Sequence, residues 1–244
     1  VGTTVEASLY PPTAMKKPTQ NSPLNNPQVQ SVLDRLHGES DRQIGSLLLH
    51  YLPKLPGLLL GRGIQWDQTK TDFYRDKYIP IEPDQGRFLY LIARAINAKT
   101  IVEFGTSFGI STIYLATAVR DNGGGMVIGT EIVPEKVIQA RKNIAEAGLE
   151  NYVEIRAGDA LETLKTFNQT IDLVLMDGWA NLAIEVLRLL DPCIRSGGIV
   201  LSDNIGTFKE DLKSYVEFLQ DPANGYRSTT LNLKGGTEFS IKLK

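Results

Sequence analysis

A chain of 244 residues, 42% hydrophobic and 22% charged, has the composition of an ordinary soluble globular protein and the length of one large domain, or of one domain with an appendage. Its net charge of −2 supplies no basic excess to neutralise phosphates, which argues against nucleic acid as a partner. A single cysteine, Cys193, excludes an internal disulfide, and with only His37 and His50 neither a zinc set nor histidine-centred catalysis is expected. No apolar run approaches the ~20 residues of a membrane span, and the first residues lack the pattern of a signal peptide, so a cytoplasmic protein is expected.

In chain order, residues 1–27 are rich in Pro, Thr, Asn and Ser and hold too few large apolar groups to offset their ordering entropy. They read as a flexible tail, or as an arm that docks on a partner subunit or covers a site. Residues 28–80 form a second unit. Two helical patterns come first: Val29, Val32, Leu33 and Leu36, then Ile44, Leu47, Leu48 and Tyr51. An irregular stretch over 53–80 follows, carrying Trp66, Phe73, Tyr74 and Tyr78, and reads as a substrate-side loop. From residue 81 to 244 the pattern is regular. Phe88, Leu89, Leu91, Ile92, Ala95 and Ile96 mark one helix face. Strand-like runs at 100–104, 126–131, 153–157, 171–176 and 199–201 then alternate with helical patterns near 109–120, 134–147, 160–167 and 181–190. Pro134 at a first helical position and Gly148 after a last turn punctuate one of these helices. Such alternation predicts right-handed crossovers and a mostly parallel, Rossmann-like α/β sheet with helices on both faces. A helix near 210–220 and two β-like segments, 226–233 and 238–243, joined through Gly235-Gly236, predict an antiparallel hairpin at the end.

The run IVEFGTSFGIS, Ile101 to Ser111, is a β-branched strand entering a glycine turn. In open α/β sheets ligands bind beyond the carboxyl ends of strands, where helix N-termini offer free N–H groups. Gly105 and Gly109 bracket the turn, and Ser107 and Ser111 can donate hydroxyl hydrogen bonds. The spacing is not G-x-G-x-x-G, because Ser107 stands where that pattern needs glycine. Glu103 before the turn would repel a pyrophosphate and suit a positively charged ligand, such as the amino group of S-adenosylmethionine. Glu131, ending the next strand, is placed for a pair of ribose hydroxyls, and Gly158, Asp159 and Ala160 for an adenine. Asp159 serves equally well in a tight strand-to-helix turn that holds no ligand.

Asp177 ends the apolar run IDLVLM, and Asp203-Asn204 ends GGIVLS. Adjacent strands would bring these three hard oxygen donors to the rim that carries the glycine turn, a set suited to Mg²⁺ or another divalent cation. A cation there would lower the pKa of a hydroxyl brought to it and orient it for transfer. Two adjacent oxygens chelate best, which favours catechol-like or other vicinal-diol acceptors.

These motifs together, with Glu82, Asp84 and Gly86 in E-x-D-x-G, the GTEI ending in Glu131, AGDALE, LMDGW and SDN, resemble the metal-dependent, catechol O-methyltransferase-like (caffeoyl-CoA O-methyltransferase-like) class of S-adenosylmethionine methyltransferases. The resemblance covers the chain from about Asp84 to its last residue. It implies a seven-stranded sheet with a reversed C-terminal strand, commonly a homodimer, and a small-molecule methyl acceptor. It implies cofactor contacts from Glu103, Gly105, Ser111, Glu131 and Trp179, and metal contacts from Asp177, Asp203 and Asn204. One departure stands out: several members carry a lysine, the expected base, where this chain has Ala180 in DGWAN. Catalysis by Asp177 and its metal without that base, cofactor binding with little or no turnover, and methylation of a tRNA hydroxyl, as in some relatives, are the alternatives that follow.

Overall fold

The computed structural model describes residues 26–51 and 81–244, the side chains of 43–51 excepted. Of the expected tail over 1–27, residues 1–25 lie outside the described residues, as do the aromatic loop over 53–80 and the side-chain pattern of Ile44, Leu47, Leu48 and Tyr51, while Pro27 belongs to the first helix rather than the tail.

The first helix, α1 (Pro27–Tyr51), is continuous across the two expected patterns. Gly38, between them, stands where an added Cβ would meet nothing within 4 Å, so it costs the helix its propensity penalty of about 1 kcal/mol and no packing. Val29, Val32, Leu33 and Leu36 are buried against the body of the protein. Helix α2 (Pro83–Ala95) opens with a reciprocal capping box between Glu82 and Gln85, and Pro83 fills a first-turn position that needs no donor.

Then the α/β alternation runs as β1 (Thr100–Phe104), α3 (Ile110–Asp121), β2 (Met126–Glu131), α4 (Pro134–Glu146), β3 (Val153–Ala157), α5 (Ala160–Thr163), β4 (Ile171–Met176), α6 (Ala183–Leu190), β5 (Ile194–Ser202), α7 (Lys213–Gln220), β6 (Tyr226–Leu231) and β7 (Thr237–Lys242). The seven strands are ordered β3-β2-β1-β4-β5-β7-β6. The first five are mutually parallel, and β7 runs antiparallel to both β5 and β6. The Rossmann-like sheet and the terminal hairpin are therefore as expected, with three local differences. Helix α5 is a single turn rather than eight residues. Helix α7 begins at Lys213 rather than near 210. Strand β5 starts five residues earlier than its apolar run, because Gly197 at φ +75° admits a bulge that lets the chain pair with β4 on both sides of it.

Strand residues alternate between two cores. Ile101, Leu173, Leu175, Ile199 and Leu201 face a cluster with α1, α2, α3 and α4. Val102, Phe104, Val174, Met176 and Val200 face another with α6 and α7. Burial on both faces is why the central strands read as continuous apolar runs. Among the described residues no helix is long and apolar enough to cross a membrane.

Candidate active site

Register places the site. Phe104 pairs with Met176 on one side and Thr130 on the other; Glu131 pairs with Ala157, and Met176 with Ser202. One residue past these pairs, the rim of the sheet therefore presents Gly158, Glu131, Gly105, Asp177 and Asp203 in series. The strand order reverses between β1 and β4, so the series straddles the point where the helices on either side diverge and leave a crevice. A cleft of about 1330 Å³, counting its mouth open to solvent, fills that crevice.

Ser107, Glu131, Gly158, Asp159 and Ala160 line one end of the cleft; Asp177, Trp179, Ala180, Asp203 and Asn204 line the other; Gly105 and Ser111 lie between. Glu103 and Gly109 do not reach its wall. Gly109, at φ +86°, is the N-cap of α3, and its carbonyl accepts the Ile113 N–H. Helix α3 has no side-chain cap at that end, so its first N–H groups are offered toward the cleft, where Ile110 and Ser111 stand.

Glu103 lies under the turn, fully buried. One carboxylate oxygen accepts from Ser111 Oγ at 2.6 Å, and the other from Thr106 Oγ1 at 3.0 Å and from Thr112 Oγ1. Burial pushes its pKa up, the three hydroxyls oppose the rise, and Glu131 adds to it. Its charge thus reaches the cleft through the hydroxyls it orders rather than by direct contact. Thr106 and Thr112 were not singled out in the sequence; a buried carboxylate followed by hydroxyls three and nine positions on was the available signal.

Glu131 holds the turn from the other side. Its Oε2 accepts the Ser107 N–H and its Oε1 the Val133 N–H, both at 2.8 Å. This fixes Ser107 at φ +48°, an uncommon conformation for a residue with a side chain. Gly105 is required twice over. Its φ is +99°, and a Cβ there would stand 2.4 Å from the Asp177 carbonyl oxygen. Asp159 accepts from the Leu161 N–H at 2.9 Å, so it caps α5 while facing the cleft. The same end holds Lys136, Phe108 and Ile132, none of them apparent from the sequence; the Lys136 ammonium lies 5.3 Å from the centre of the Phe108 ring.

At the other end, Asp177 and Asp203 leave neighbouring strands side by side. The Asp203 N–H donates to the Met176 carbonyl at 3.1 Å, tying the two strand ends. Asn204 Nδ2 donates to Asp203 Oδ2 at 3.0 Å, and the Asn204 side chain also hydrogen bonds to Asp177. Burial, followed by the mutual repulsion of the two carboxylates, holds Asp177 well above the usual carboxylate range. Burial likewise pushes Asp203 up to about 6 despite hydrogen bonds from Asn204, Thr237 and Gln85. Among the described residues no three His, Cys, Asp or Glu side chains gather, so the oxygen set is two carboxylates and one amide. Two crowded anions that resist joint ionisation, bridged by an amide, fit a divalent cation: it would relieve the repulsion and find only hard oxygen donors.

A pH dependence follows from these shifts. Both folded-state pKa values lie above those of an unfolded aspartate, Asp203 at about 6 and Asp177 raised in the same direction, so the metal-free protein binds extra protons above about pH 4 and loses stability as pH rises through the folded-state values. As the second carboxylate ionises the repulsion grows, and a cation bound there would relieve it. In thermal melts near neutral pH, Mg²⁺ at tenfold its dissociation constant should raise the midpoint by about 3–5 °C. Near pH 5, where protons compete, the shift should shrink. An equal shift at both pH values would mean that the cation binds elsewhere.

The strand order and the terminal hairpin define a class, the Rossmann-like α/β fold with a reversed last strand. Residues 102–205, which span the turn and the Asp–Asp–Asn set, match the family described as Methyltransferase domain. The chain is similar to catechol O-methyltransferases of Niastella koreensis (34% identity over 131 residues, 52% of this chain and 58% of the relative) and of Mycobacterium tuberculosis (34% over 128 residues, 52% and 57%). The chain thus spans under three fifths of the length of these curated relatives. Among solved structures, the O-methyltransferase from Bacillus cereus, in complex with SAH, superposes with a TM-score of 0.62 at 25% identity over 67% of this chain and 82% of that one.

Proposed function

We propose that the protein is an S-adenosylmethionine-dependent O-methyltransferase, assisted by a divalent cation, that acts on a small vicinal diol such as a catechol. The observation that carries this reading is the rim series: the turn held by Glu103 and Glu131 stands one strand away from the Asp177–Asp203 pair. Asp177 sits beside Gly105, where the two halves of the cleft meet.

Each residue then has a task. Glu131 faces the cleft while its oxygens hold Ser107 and Val133, which suits it to ribose hydroxyls. The uncapped start of α3 suits the cofactor's carboxylate, and the negative charge of Glu103 beneath it favours the neighbouring ammonium. Trp179, Phe208 and Leu212 line the cleft with apolar surface that excludes water. This helps a transfer in which a sulfonium and an oxyanion cancel their charges. Asp177, Asp203 and Asn204 would hold the cation, which supplies ionisation and orientation of the acceptor hydroxyl when bound.

Ala180 favours a second reading, cofactor binding with little turnover. It is buried at 5% exposure in the cleft wall and can neither take nor hold a proton. The variant Ala180→Lys separates the two. Its side chain has the cleft to enter, and a positioned base should raise methyl transfer to a catechol by about 10²-fold. An unchanged rate, with cofactor and cation still bound, would show that proton removal does not limit the wild-type protein.

A further inference from the structure

We infer that Gln85 is a positioning residue for the cation site, orienting Asp203 from outside the cleft. The inference rests on the metal reading above.

Asp203 divides its two oxygens. Its Oδ2 meets Asn204 inside the site. Its Oδ1 is turned away from it and accepts from Gln85 Nε2 at 2.8 Å and Thr237 Oγ1 at 3.3 Å. Gln85 is itself buried, at 7% exposure, and its amide is committed on both sides. Nε2 donates to Asp203 and to the Lys234 carbonyl at 3.1 Å, while Oε1 accepts the Glu82 N–H at 2.8 Å. Two acceptors on one side and a donor on the other admit only this orientation of the amide. One side chain therefore ties together the end of β5, the start of α2 and the turn between β6 and β7.

The residue type matters as much as the contact. A neutral amide donor fixes a carboxylate without cancelling its charge, whereas lysine or arginine at 85 would pair with Asp203 and compete with a cation. Glutamate would place a third anion beside the two already crowded there. The Lys234 ammonium, which lies close enough to lower the Asp203 pKa, is drawn into an ion pair with Glu82. The surroundings thus hold Asp203 still and leave its charge for the site. Partners that orient metal ligands from behind typically contribute 10–100-fold in affinity.

The test is Mn²⁺ affinity near neutral pH, read by electron paramagnetic resonance of the free ion, with S-adenosylmethionine affinity and thermal midpoint measured alongside. Gln85→Met, which keeps the length and loses both hydrogen-bonding groups, should weaken Mn²⁺ binding by about 10–100-fold and leave cofactor affinity unchanged. Thr237→Val, which removes the longer bond to the same oxygen, should weaken it less and carries the test if Gln85→Met does not fold. Tyr90→Phe, on the same helix, removes the bond to Asp121 at 2.9 Å; it should lower the midpoint without changing Mn²⁺ affinity. The inference is overturned if folded Gln85→Met binds Mn²⁺ as the wild type does, if Thr237→Val does so when it carries the test alone, or if Tyr90→Phe weakens binding as much. A wild-type protein that binds no Mn²⁺ would overturn the metal reading itself, and this inference with it.

Discussion

Asp203→Asn should cut cation-supported methyl transfer by about 10³-fold, the equivalent of roughly 4 kcal/mol of transition-state stabilisation. The same variant should make the metal-free protein more stable near neutral pH. The two effects share one cause. Asparagine keeps an oxygen for Gln85 and Thr237, so those two bonds survive while the one from Asn204 is lost, and it removes one of two anions that burial and proximity hold above their ordinary pKa. The repulsion that destabilises the empty pair is the property that would attract a cation, and binding sites commonly carry such a cost. Affinity for S-adenosylmethionine should change little, because Asp203 is not among its expected contacts. A variant that lost activity and also melted at a lower temperature would point instead to a structural role for the carboxylate.

Gly105→Ala should have the largest effect on the cofactor end. A methyl group at this position meets the Asp177 carbonyl oxygen at 2.4 Å and the Gly178 Cα at 2.7 Å, on a backbone already at φ +99°. Conformational strain and steric displacement together should cost about 3 kcal/mol or more, a fall of roughly 6–12 °C in melting temperature. The turn must move away from β4, so S-adenosylmethionine affinity should fall by at least about tenfold, as a near-ångström misplacement does elsewhere. Gly124→Ala provides the comparison: φ there is +106°, yet nothing lies within 4 Å of the added methyl. It should cost only about 1 kcal/mol and leave cofactor affinity intact. Equal effects of the two would show that backbone strain alone, and not the fit of the turn against β4, sets the requirement for glycine.

Much of this was legible in the sequence, and for reasons that can be named. Central strands buried on both faces announce themselves as unbroken apolar runs, and a residue that ends such a run must lie at the rim. That logic located Gly105, Glu131, Asp177 and Asp203 without any knowledge of which strands adjoin. It was less able to say how each residue acts. Glu103 was read as facing a ligand, but strand alternation puts it on the α3 side of the sheet, where Ser111, Thr106 and Thr112 occupy it. Gln85 went unremarked because its partners lie 118 and 149 residues away. The glutamate–glutamine capping spacing at 82 and 85 was the only local trace of it. The bulge at Gly197 and the continuity of α1 through Gly38 were missed for a common reason: a glycine reads as a break, and only tertiary packing decides whether the chain passes through it.

The central claim is that one cleft joins a methyl donor to a hydroxyl prepared by a cation at Asp177, Asp203 and Asn204. Its most direct test is transfer of labelled methyl from S-adenosylmethionine to catechol, with saturating Mg²⁺ and again with a chelator. The account predicts O-methylated product with Mg²⁺ and its near-complete loss with the chelator, cofactor binding persisting in both. Product formation unaffected by the chelator would contradict it, as would bound cofactor with no transfer to any vicinal diol.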